Sequence, residues 1–125
     1  MEHKSVLVTY SEVAPEHDAA YNRWYDQVHI PDCLRATHWL SARRYRLAPP
    51  HDSPANQHPV CRYLTVWELD TEDIEAAFAE LATVGAWIQE QGRNFEHPVQ
   101  RYRGTYVAMG GPQHAKHAPA HTATA

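Results

Sequence analysis

The chain has 125 residues, enough for one domain with a single core, and its 43% hydrophobic and 21% charged content is ordinary for a globular protein rather than a disordered one. A net charge of −4, from 11 basic and 15 acidic residues, excludes the basic footprint of a nucleic-acid-binding domain. No apolar run approaches the ~20 residues that cross a bilayer, Met1-Glu2-His3-Lys4 leads into a strand without a signal-peptide pattern, and Cys33 and Cys61 form neither a disulfide framework nor a CxxC motif, so a cytoplasmic protein with free thiols is expected.

Ser5 to Tyr10 reads as the first strand. Pro15, followed by Glu16 and Asp18, opens a helix, because proline suits the first turn and acids suit its positive end. That helix is expected to run to His29, where Pro31 biases Ile30 away from helical geometry. Trp39 to Leu47 is a second strand, and Ala48 to Pro59 is a Pro-rich loop. Val60 to Leu69 is a third strand, rich in β-branched and aromatic residues. Asp70-Thr71-Glu72-Asp73 caps a second helix with Ile74, Phe78, Leu81 and Ala82 at helical spacing, and Gly85 is a point where it bends or ends. Val99 to Met109 is the last strand. Residues 1–111 thus form one domain, and 112–125, rich in Ala, His, Pro and Thr, read as a disordered tail.

The order β-α-β-β-α-β is the split, ferredoxin-like α+β arrangement, a four-stranded antiparallel sheet with both helices on one face. Each strand carries large apolar groups on both alternations: Leu64 and Val66 against Tyr63 and Trp67, Val99 and Val107 against Tyr102 and Tyr106. Such a sheet needs cover on both faces, which predicts a homodimer with the two sheets face to face and a cavity between sheet and helix.

Chemistry concentrates in Tyr21-Asn22-Arg23-Trp24-Tyr25-Asp26-Gln27-Val28-His29-Ile30-Pro31-Asp32. At ~3.6 residues per turn Tyr21, Tyr25 and His29 share one line, with Trp24 and Val28 beside it. An imidazole titrates near neutral pH, so His29 is the candidate general acid or base. Asp32 is the candidate group to orient it, and Tyr25 the candidate donor to a substrate oxygen. Trp24, Tyr63, Trp67, Tyr102 and Tyr106 are candidates to line an aromatic pocket, and Arg44 to bind a carboxylate or enolate oxygen. Each has a structural alternative: His29 against unpaired helix-end carbonyls, Asp32 folded onto local backbone donors, the rings packed in the core or the dimer interface. The other histidines, including His51, His58, His114, His117 and His121, form no HExxH or Cys/His array, so no metal is expected.

The Tyr21–Asp32 stretch, with Ser41-Ala42-Arg43-Arg44-Tyr45 beyond it, resembles the EthD-like branch of the dimeric α+β barrel superfamily, in which the first helix ends with an aromatic–His–x–Pro pattern. The likeness spans roughly residues 5–108. It implies a dimeric barrel and a site around His29. It also implies one of the superfamily's activities, which include polyketide cyclases, lactone isomerases, cofactor-independent quinone-forming monooxygenases, aldoxime dehydratases and heme proteins. Asp32 replaces the leucine usual after the proline. Together, residues and resemblance lead to the expectation of a cofactor-independent cyclase, isomerase or lyase. It would act on a small apolar carbonyl compound, polyketide-like or aromatic. The alternatives are a monooxygenase, a heme-dependent dehydratase, or a non-catalytic dimer that binds a hydrophobic ligand.

Overall fold

The computed structural model describes residues 3–48 and 61–116. Its elements are β1 (Ser5–Val13), a 3₁₀ turn (Pro15–His17), α1 (Asp18–Trp24), a π turn (Tyr25–His29), α2 (Ile30–Cys33), β2 (Trp39–Arg46), β3 (Tyr63–Leu69), α3 (Ile74–Glu90) and β4 (Val99–Val107). Most of the loop expected at Ala48–Pro59 lies outside the described residues, as does the tail from 117 onward; residues 112–116 are exposed and without regular structure.

The strands form one antiparallel sheet in the order β2-β3-β1-β4. Burial fixes which alternation faces the helices. Tyr63, Thr65, Trp67 and Leu69 of β3 are buried, as are Ser5, Leu7, Ser11 and Val13 of β1. The registers Ser11↔Arg101 and Thr9↔Arg103 put those two arginines of β4 on the same, helix-facing side. Tyr102 therefore pairs with Tyr10 on the outer face, where Tyr106 also lies. Gly104 leaves room for the Tyr106 ring across it: a Cβ there would stand 2.8 Å from the Tyr106 hydroxyl, which would have to shift.

The first helix does not end at His29. Ile30 N–H donates to the Tyr25 carbonyl five residues back, and the chain continues as α2 to Cys33. In a regular α-helix the Pro31 ring would strike the Gln27 carbonyl. The π turn widens the helix at that point, and Pro31 then occupies the first turn of α2, where its missing N–H leaves no bond unmade. α3 likewise passes through Gly85 unbroken, at a position where an added Cβ would meet open space.

α3 begins at Asp73, whose carboxylate accepts from Ala76 N–H, and ends at Gln91. Gly92, at φ +65°, closes it with paired bonds from Gly92 N–H to the Gln89 carbonyl and from Arg93 N–H to the Ile88 carbonyl. This left-handed closure needs glycine and turns Arg93 back toward the first helix. Gly92→Ala is expected to cost about 1 kcal/mol in urea unfolding, without a change in the slope against urea.

Candidate active site

Between sheet and helices lies a cavity of about 170 Å³. Leu7, Trp39, Trp67 and Leu81 supply its apolar wall, and the helix presents Tyr21, Tyr25, His29 and Cys33 to it. Those four recur at four-residue spacing, and the π turn keeps them on one side even though the helix continues past the proline. Arg101 and Arg103 stand on its β4 side.

His29 is held by rings. Trp24 stacks on it at 4.6 Å between centroids and 20° between planes, while Tyr25 and Trp67 meet it edge-on at 4.8 and 5.7 Å. Among the described residues its only side-chain hydrogen-bond neighbour is Cys33 Sγ, 3.8 Å from Nδ1 and 3.9 Å from Nε2, a weak contact. Burial pushes the imidazole from its ordinary 6.5 down to about 4; the Arg101 and Arg44 charges push the same way and Asp32 opposes them. His29 is therefore neutral at physiological pH and able to accept a proton. Burial, with the Asp32 charge adding, pushes the Cys33 thiol up to about 12, so it is no thiolate nucleophile.

Asp32 does not orient His29. Its buried carboxylate accepts from Arg93 Nε at 2.7 Å and a terminal Arg93 nitrogen at 3.2 Å, while the Arg93 carbonyl accepts from Trp24 Nε1 at 2.7 Å. The segment after α3 is thus tied to the helix and fixes the indole that stacks on His29. The carboxylate reaches Arg93 rather than the imidazole because α2 continues past Pro31 and carries it to the α3 side.

Of the other expected residues, Tyr25 and Trp67 line the cavity. The Tyr25 hydroxyl lies 3.3 Å from Thr9 Oγ1, which also accepts from Trp67 Nε1 at 3.4 Å. Trp24 backs His29 rather than facing the cavity. Arg44 faces the helices but sits in a neighbouring polar groove, between the Tyr25 and Tyr63 rings, donating to Asn22 and Asp26. Tyr63 joins that groove, its hydroxyl donating to Asp18 and accepting from Asn22. Tyr102 borders the cavity but projects outward, 42% exposed, and Tyr106 is 60% exposed on the outer face.

Two contributions were not expected. The Tyr21 hydroxyl is wholly buried and makes no well-formed hydrogen bond among the described residues; burial raises its pKa, a loose approach of the Ser11 hydroxyl offsets part of the rise, and the group is a neutral donor. Arg101 and Arg103 are the cations at this cavity in place of Arg44. The signal for Tyr21 was its place on the Tyr25–His29 line; that for the arginines was their i, i+2 spacing, readable only once the sheet face was known.

No family model matches the sequence, and no curated protein matches it either. Solved structures do. An EthD family protein from Bacillus halodurans is 16% identical with a TM-score of 0.51, over 81% of this chain and 96% of its own. The fold is the ferredoxin-like α+β fold. HapK from Hahella chejuensis is 14% identical at a TM-score of 0.58, over 90% of this chain and 99% of its own. A proposed monooxygenase from Shewanella loihica is also 14% identical at 0.58, over 89% and 99%. A heme does not fit this site: about 170 Å³ is below the ~300–1,000 Å³ of pockets for drug-sized molecules, and Trp24 already covers one face of His29, the only histidine among the described residues that lines it. Among the described residues no group of three His, Cys, Asp or Glu is arranged to hold a metal ion, and no helix is long and apolar enough to cross a membrane.

Proposed function

We propose that this chain is a cofactor-independent acid/base enzyme that moves a proton beside the carbonyl of a small, flat, largely apolar compound, in an isomerisation, cyclisation or elimination. One observation carries this reading: a neutral imidazole, without a nitrogen or oxygen partner among the described residues, borders an aromatic cavity. His29 takes the proton. Tyr21, with Tyr25 beside it, donates to the carbonyl oxygen as charge moves onto it. Asp32 is a positioning residue that holds Trp24 through Arg93.

The test needs no natural substrate. 1-Indanone is flat, apolar and carries enolisable hydrogens beside one carbonyl. In D₂O the protein should accelerate deuterium incorporation at that carbon, followed by NMR. If indanone binds and exchange stays at the buffer rate, the protein is a ligand binder and the enzyme reading falls. Oxidation of an electron-rich phenol by dissolved O₂, which would take up the electrons, would begin with the same proton transfer to His29, and likeness to the Shewanella protein keeps that reaction in the screen.

The working unit is a homodimer formed through the outer sheet face. That face exposes Tyr10, Tyr45, Tyr102 and Tyr106 around Val8, Leu64 and Val66. Val66→Lys puts a charge at its centre and is expected to convert a dimer to a monomer in light scattering. A wild-type chain with the mass of one copy at micromolar concentration overturns the dimer.

A further inference from the structure

We propose that the ligand of this cavity is an apolar carboxylate, its anionic end paired with Arg101 at the β4 side and Arg103 beside it, its ring directed inward toward Tyr21 and His29. This rests on the cavity being the functional site but not on turnover.

The helix-facing side of a sheet is where charge is least expected, and Leu7, Val13, Trp67 and Leu69 follow that rule. Arg101 and Arg103 break it side by side. They can do so because β4 is an edge strand, paired only with β1, so their heads reach solvent at the cavity's open side. Two other arginines near the helices are already paired: Arg44 with Asp26, and Arg93 with Asp32. Arg62, beside β3, is paired with Glu12 and Asp18. Arg103 lies 5.2 Å over the Phe78 ring, which leaves its donors open. Among the described residues Arg101 has no acidic partner within salt-bridge distance. A guanidinium presents donors in a fixed fork that matches a carboxylate.

The inner end points the same way. A fully buried, unpaired hydroxyl is costly, and the Tyr21 hydroxyl becomes satisfied when a ligand oxygen reaches it. A ligand with an oxygen at depth and an anion at the mouth meets both open groups. The two ends are also coupled. The Arg101 charge is the leading electrostatic contribution holding His29 down, after burial. An anion that neutralises Arg101 lifts that influence and makes His29 a better base once the site is filled.

The experiment compares 6-hydroxy-2-naphthoate (the naphthoate, or acid, below) with its neutral isostere 6-hydroxy-2-naphthamide (the naphthamide, or amide), read by tryptophan fluorescence and calorimetry on the full chain. The acid is expected to bind about tenfold more tightly than the amide at neutral pH and low salt, with the preference shrinking as salt rises. Arg101→Gln should abolish the preference while leaving the amide's affinity in place, which shows that the variant is folded. The His29 imidazole, followed by NMR, should titrate higher with naphthoate bound than with naphthamide. Equal affinities, a preference that survives Arg101→Gln, or no binding of naphthoate at millimolar concentration each overturns the proposal. If naphthoate behaves as expected and indanone exchange fails, the protein is a carboxylate binder. If exchange succeeds and acid and amide bind alike, the enzyme reading stands without the anion.

Discussion

His29→Gln is expected to lower the protein-catalysed exchange of 1-indanone by about 10²–10⁴-fold while leaving the affinity for indanone essentially unchanged. Glutamine keeps a flat polar group beside Trp24 and Tyr25 but has no basic nitrogen, so the lesion falls on chemistry rather than on the cavity wall. The wild-type rate should fall on acidification through about pH 4 and stay level toward neutrality, because the base must be unprotonated. That acid limb should be missing from whatever residual rate the variant shows. A variant with full exchange would remove His29 from the reaction and leave Tyr25 and Tyr21 as the polar groups to examine.

The same imidazole should make stability depend on pH. In the unfolded chain it protonates near 6.5, whereas the folded protein keeps it neutral down to about 4. Between those values the unfolded state holds more protons, so stability rises with pH. Its contribution is complete above 6.5 and lost below about 4, a difference of about 3 kcal/mol at ~1.36 kcal/mol per pKa unit. Urea unfolding of wild type and His29→Gln across this window isolates the effect, because groups common to both cancel. His38 is one of these, its pKa raised by the Asp70 hydrogen bond. Parallel profiles for the two proteins would mean that His29 is solvated in the folded state.

Much of the fold was legible. Tyr63 to Leu69 alternates cleanly, and Ile74, Phe78 and Leu81 recur at helical spacing, so strand and helix periods separate without ambiguity. What alternation alone could not say was which face is inside, because both faces are apolar. That ambiguity selected Tyr102 and Tyr106 over Arg101 and Arg103, a one-residue change of phase that exchanges every side chain for its opposite. The helix end was misplaced for a different reason. The proline rule holds for a regular helix, and the widened turn at Tyr25–His29 suspends it. The role of Asp32 was invisible because its partner is 61 residues away and arrives only through the Gly92 closure of α3.

The π turn has a dynamic consequence. It places His29 on the stretch of the helix where the ordinary bonding ladder is interrupted and where Pro31 contributes no donor. The imidazole is thus carried where the regular backbone ladder changes register, and aromatic contacts from Trp24, Tyr25 and Trp67 grip it. A ligand that stacks against those rings would stiffen the helix as it binds, so that affinity, rigidity and the placing of the base rise together.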